Sequence, residues 1–136
     1  MIIRRATPQD VSEIRKIMIG FGLPKKVFIT SSEERIEYLI RNHLCIICEE
    51  DNKIIGFILT EGSSYIDTIC SNQAGVGKII LDSLPTGVYE VNISKLNDRS
   101  QSLFKKAGFE YMYDEVVEGE RRGRYRGIIK QKRSFE

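Results

Sequence analysis

The sequence predicts a mixed α/β fold: one sheet, mostly antiparallel, with helices on both faces. Three observations predict it. Apolar, β-branched runs alternate with segments whose apolar residues recur at helical spacing, in the order β-α-α-β-β-β-α-β-α-β-β. Runs in the middle of the chain are joined by short turns, which marks antiparallel pairing. Strand–helix–strand units in the second half require some parallel pairing. The 136 residues suit one domain spanning 1–136.

Met1–Ala6 reads as a first strand. Thr7-Pro8-Gln9-Asp10 opens a helix, with Thr7 as N-cap and Pro8 at the first helical position. Val11, Ile14, Ile17 and Met18 give it one apolar side, and Gly20, Gly22 and Pro24 end it. A second helix starts at Ser31-Ser32-Glu33-Glu34 and carries Ile36, Leu39 and Ile40. Leu44–Glu50 and Ile54–Glu61 form a hairpin across Asp51-Asn52-Lys53. Gly62-Ser63-Ser64 turns the chain into a fourth strand, Tyr65–Cys70. A helix over Val76–Leu84 is broken by Pro85-Thr86-Gly87. Val88–Ser94 alternates as a strand does. Asn97–Ala107 is a helix ended by Gly108, and Phe109–Val117 with Arg124–Lys130 make a last strand pair.

Composition narrows the function classes. With 41% hydrophobic and 29% charged residues, a disordered or collagen-like chain is excluded. No apolar run is long enough to span a bilayer, and the start has no secretory leader pattern, so a cytoplasmic location is expected. Cys45 and Cys48 have a C-x-x-C spacing, but on a strand positions i and i+3 face opposite ways, so these thiols belong to the core and no metal site is expected. His43 is the sole histidine, which leaves little for a zinc site or a Ser-His-Asp triad. The net charge of +2 does not suggest a nucleic-acid binder. The basic residues gather late, however: Arg121, Arg122, Arg124, Arg126, Lys130, Lys132 and Arg133 follow Asp114, Glu115, Glu118 and Glu120. A solvated hairpin with mutually attracting arms explains this, and a patch for an acidic partner is the alternative.

The chemistry-bearing stretch is Ile69-Cys70-Ser71-Asn72-Gln73-Ala74-Gly75-Val76-Gly77-Lys78. A strand enters a turn with two close glycines and passes straight into a helix. Exposed amides of such a turn, with the helix N-terminus, make an anion site suited to a pyrophosphate. Lys78 adds a cation, and the glycines admit close backbone approach. A Walker A loop fails at Asn72 and Ile79. A dinucleotide fingerprint fails at Ile80. A coenzyme A loop and a plain strand-to-helix turn both stay open on this stretch alone.

The wider pattern resembles the GNAT acetyltransferase superfamily. Asn72-Gln73-Ala74-Gly75-Val76-Gly77 aligns with that family's Q/R-x-x-G-x-G/A loop after the fourth strand. Asn97-Asp98-Arg99-Ser100-Gln101-Ser102-Leu103-Phe104, with Gly108-Phe109 beyond it, is similar to the helix after the fifth strand. Ile3-Arg4-Arg5-Ala6-Thr7-Pro8-Gln9-Asp10 is similar to the family's opening. The resemblance covers nearly the whole chain. It implies a sheet whose fourth and fifth strands splay apart, with acetyl-CoA (coenzyme A) inserting between them. Backbone at Ile69, Cys70 and Ser71 would pair with the pantetheine arm. Amides of Gln73, Ala74, Gly75, Val76, Gly77 and Lys78 would hold the pyrophosphate beside Asn72, and Asn97 would reach the cofactor. Phe104 stands at the cofactor position where many members carry a tyrosine that protonates the departing thiolate; it has no hydroxyl. Asn72 is shorter than the usual Gln or Arg, and the Cys70-to-Gly75 link is short for the family.

The implied activity is transfer of an acetyl group to a primary amine of a small molecule or peptide. Asp67, mid-strand, is the first candidate base, because an acid there is awkward to bury without a purpose. An outward, solvated Asp67 is the alternative, and Glu61 is the second candidate. Asn92 or Ser94 could hold a relay water. Tyr111, or Tyr113 or water, would supply the acid; Tyr65 and Tyr89 come after them. The acceptor would meet Ile19–Thr30, with Phe21, Lys25, Lys26 and Phe28, and the Arg-rich end. An acyl-CoA-binding module without efficient transfer, and a nucleic-acid binder using the C-terminal segment, are the other readings. A homodimer is left open.

Overall fold

Residues 1–20 and 32–136 are described by the structure, a computed structural model. The elements follow the expected order: β1 (Ile2–Arg5), α1 (Val11–Gly20), α2 (Glu33–Asn42), β2 (Cys45–Glu50), β3 (Lys53–Glu61), β4 (Tyr65–Ser71), α3 (Val76–Ser83), β5 (Gly87–Ser94), α4 (Asp98–Lys106), β6 (Glu110–Val117) and β7 (Glu120–Ile129). Helix α1 opens one turn later than expected, because Pro8–Asp10 forms a 3-10 turn first. There Asp10 accepts from the Thr7 N–H at 2.7 Å and takes a two-point ion pair from Arg4. Ser32 caps α2 by accepting from the Arg35 N–H. Gly22, Pro24, Phe21, Lys25, Lys26, Phe28 and Ser31 lie outside the described residues.

Among the described residues the strands form one sheet in the order β1-β2-β3-β4-β5-β7-β6. All neighbours are antiparallel except β4 and β5. Asp51 and Asn52 both have positive φ, 53° and 63°, which is the two-residue hairpin turn that joins β2 to β3. Glu118 and Gly119 repeat the device at φ 50° and 77°. For that reason β7 begins at Glu120, four residues before the expected start, and Arg121 and Arg122 become strand residues.

One apolar layer packs α1 and α2 on Cys45, Ile47, Phe57 and Leu59. The other packs α3 and α4 on Ile46, Cys48, Ile58, Val91 and Tyr125. Cys45 and Cys48 thus face opposite sides, as strand alternation requires. Gly56 seats α3: a Cβ there would lie 2.8 Å from both Ile80 Cδ1 and Val76 Cγ1.

The basic C-terminal segment is no free tail. Asp82, in the last turn of α3, accepts from the backbone N–H groups of Lys132 and Arg133 at 2.8 and 3.0 Å. Gln131 Nε2 donates to the Ser83 carbonyl. Further on, Glu136 exchanges backbone bonds with Ile3 and Arg5, and so covers the outer edge of β1. The hairpin itself does carry attracting arms, with Arg124 on Glu115 at 3.4 Å and Arg121 on Asp114 at 3.7 Å.

Gly56→Val is expected to cost about 1–3 kcal/mol in chemical denaturation, because β-branched bulk must displace α3. A loss below a few tenths would show that α3 is not seated at this glycine.

Candidate functional site

The site begins with a fault in pairing. On the β3 side of β4, Leu59 opposes Thr68 and Thr60 opposes Ile66, so Asp67 is an extra residue without a partner. Such a bulge bends its strand and increases its twist. On the other side, the ladder between β4 and β5 consists of Tyr65↔Glu90 and Ile66↔Val91 and goes no further. Beyond Ile66 the two strands part, and the backbone of Asp67 to Ser71 has no ladder partner on its β5 side.

The gap opens into two cavities. The larger, of about 540 Å³, lies between the end of β4, the first turn of α3 and one side of α4. The smaller, about 30 Å³, lies between the parted strands, with Asp67 on one wall, Asn92 on the other and Phe104 behind. They share Ile69, Asn97 and Ser100, so they meet.

At the larger cavity, Gly75 caps α3 with φ 85°, a conformation that costs other L-residues roughly 1–2 kcal/mol. Among the described residues, the N–H groups of Gln73, Ala74, Gly75, Gly77 and Lys78 donate to no protein acceptor. Two others of the expected set are taken: Asn72 N–H donates to Ile55 O at 3.0 Å, and Val76 N–H points to Gln73 O at 3.4 Å. Val76 instead packs into the core. Gly77 also serves packing, since a Cβ there would lie 3.1 Å from Leu103 Cδ2; it lets α4 close on α3. Lys78 Nζ is paired with Asp82 at 2.9 Å while lining the cavity. Ile69, Cys70, Ser71, Ala74, Gly75 and Asn97 also line it. The Asn97 Oδ1 caps α4 by accepting from Ser100 N–H.

On α4 the sequence pointed to Asn97 and Phe104 but not to four further residues. Arg99, Ser102, Leu103 and Lys106 line the larger cavity. Their helical spacing puts them on one side, which a helical projection of Asn97–Ala107 would have shown. Open amides, a helix N-terminus and the cations of Lys78, Arg99 and Lys106 together suit an elongated, multiply phosphorylated anion.

In the smaller cavity, Asp67 is mostly buried and accepts from Thr68 Oγ1 at 2.8 Å. Arg35 Nη2 lies 3.8 Å from its Oδ2 and 2.8 Å from Glu61. Asn92 donates from Nδ2 to the Tyr65 hydroxyl at 2.6 Å and accepts from Arg122 Nε at 2.7 Å. Arg122 is 6% exposed, not the solvated hairpin cation that the sequence suggested. Phe104 is fully buried, edge-to-face with Phe109 at 5.0 Å. Ser94 donates to Glu120 at 2.7 Å.

Tyr111 and Tyr113 line neither cavity. Both sit exposed on β6, at the far edge of the sheet, and the Tyr111 hydroxyl donates to Asp114 at 2.5 Å. The Tyr89 hydroxyl donates to Pro85 O at 2.7 Å. Burial pushes the Cys70 thiol up to about 12, with Arg99 opposing it, and Cys45 up to about 11. These are core thiols, not nucleophiles.

No protein-family model matches the chain, and no curated protein matches it. Solved structures do. A GNAT-family acetyltransferase from Bacillus cereus ATCC 10987 matches at 19% identity with a TM-score of 0.70, covering 93% of this chain and 96% of that one. Ribosomal-protein-alanine N-acetyltransferase from Brucella melitensis matches at 15% and 0.73, over 95% and 100%. YncA from Salmonella typhimurium, solved with its cofactor acetyl-CoA, matches at 14% and 0.74, over 100% and 98%. The chain therefore has the GNAT acetyltransferase fold. Among the described residues no helix is long and apolar enough to cross a membrane.

Thiol titration with a disulfide reagent at mildly alkaline pH is expected to find no fast-reacting group in the folded protein and all three cysteines after denaturation. A fast-reacting Cys70 would contradict its burial.

Proposed function

We propose that this domain, spanning 1–136, is an N-acetyltransferase that moves an acetyl group from acetyl-CoA directly to a primary amine of a small molecule or peptide. One observation carries the reading: the unpartnered amides of Gln73, Ala74, Gly75, Gly77 and Lys78 at the α3 N-terminus lie at the end of β4, next to the gap between β4 and β5. That places an anion cradle and an open strand edge end to end, which suits a long carrier with a diphosphate at one end. The structural neighbours support it.

Bound acetyl-CoA supplies an acetyl thioester whose thiol, with a pKa of roughly 8.5, departs readily near neutral pH. The chain's own groups do the rest. Amides of Gly75, Gly77 and Lys78 hold the diphosphate, and Arg99 and Lys106 add attraction that salt would weaken. Backbone from Ile69 to Ser71 offers strand-type hydrogen bonds to the amide-bearing arm. Asp67 takes a proton from the acceptor ammonium, directly or through a water, since only the neutral amine has a lone pair to give. Glu61, held by Arg35, lies on the same side and favours a cationic acceptor. Three free cysteines fit a reducing, cytoplasmic setting.

Phe104 favours a second reading, an acyl-CoA-binding module that transfers poorly, because that position has no proton to give. Acetyl-CoA binding without turnover across a panel of amines, and no gain on Phe104→Tyr, would select it.

Saturating acetyl-CoA is expected to raise the melting temperature by on the order of 5 °C, while ATP and NAD leave it unchanged. Equal shifts from all three would sink the assignment. Once an acceptor is found, Asp67→Asn is expected to lower kcat/KM by about 10²–10⁴-fold and leave the acetyl-CoA shift intact. A smaller loss at high pH than at neutral pH would mark Asp67 as the base.

A further inference from the structure

The smaller cavity is where the reacting end of the carrier arrives. The amide cradle sits at the larger cavity, the two meet at Ile69, Asn97 and Ser100, and the unpaired edge of β4 leads from one to the other. A carrier held by its diphosphate in the cradle brings its thioester end to the gap walled by Asp67 and Asn92. That gap holds about 30 Å³, against about 540 Å³ on the diphosphate side. Such a volume seats about two water-sized groups. The carbonyl and methyl of an acetyl group fill it, and a longer chain fits only if a wall moves.

The walls are braced. Asn92, on β5, is held at both ends of its amide: Nδ2 donates to the Tyr65 hydroxyl at 2.6 Å, and Oδ1 accepts from Arg122 Nε at 2.7 Å. The Arg124 guanidinium lies 4.8 Å over the Tyr65 ring, and Arg122 is buried. Swinging Asn92 aside breaks both bonds in a place where water does not readily replace them. Behind, Phe104 is fully buried against Phe109, and Val91 and Ile93 belong to the core. A chain that passed Asn92 would lay hydrocarbon against the Arg122 guanidinium, which is costly for a charge. A chain turned toward Asp67 instead would stand where the acceptor amine must come.

We infer that Asn92 sets the length of the acyl group this cleft accepts: an acetyl group is seated and a butyryl group is not. The inference deepens the acetyl-CoA reading above and rests on it.

The test measures the dissociation constants of acetyl-CoA and butyryl-CoA by calorimetry, with no acceptor present. The unaltered protein is expected to bind acetyl-CoA about tenfold more tightly or better, since one excess methylene in a closed pocket is worth about 10–200-fold. Asn92→Ala is expected to bring the two constants to within about threefold of each other. A merely structural Asn92 would weaken both esters alike and leave their ratio where it was, so the ratio reads the wall. Equal binding of the two esters by the unaltered protein, or an unchanged ratio in Asn92→Ala, would overturn the inference and leave the acetyl-CoA reading standing. Failure of acetyl-CoA and free CoA to bind the unaltered protein would overturn both. Should Asn92→Ala not fold, judged by its melting curve, Asn92→Ser, which is shorter but keeps a hydroxyl for Arg122, decides by the same criterion.

Discussion

One extra residue in β4 organises this molecule. Without the bulge at Asp67, β4 would stay in register with β3 and continue alongside β5, and the sheet would be closed from edge to edge. The bulge bends β4 just where its ladder with β5 stops. An unpaired strand edge inside a sheet is costly unless something covers it. A ligand that brings its own amides would satisfy that demand. The gap between the strands follows from that irregularity, and the open amides at the end of β4 are those that the α3 N-terminus leaves unpaired.

The rest of the fold holds that irregularity still. α3 must keep its N-terminus at the end of β4, and it is fixed at three places. Gly75 supplies the left-handed entry, Gly56 lets the helix lie close on β3, and the backbone of Lys132 and Arg133 satisfies Asp82 at the far end. Because the cradle consists of main-chain donors, side-chain change at Asn72 leaves it unaltered; Asn72 contributes its N–H to Ile55 instead. Gly77 serves the same end indirectly, by letting Leu103 and hence the cation-bearing side of α4 approach.

What was legible in the sequence follows from range. Turn chemistry and periodicity are local, so Asp51-Asn52, Gly75 and the order of elements could be read directly. The loop at Gln73–Lys78 was legible because a strand, two glycines and a helix adjoin in the chain. The burial of Arg122 was not, because it depends on β7 lying between β5 and β6, a non-sequential arrangement that brings Arg122 opposite Ser94. Nor could the course of residues 131–136 be read, since their partners on α3 and β1 are distant in the chain. Tyr111 illustrates the same limit: its residue type suited an acid, and only the strand order shows that β6 is the far edge.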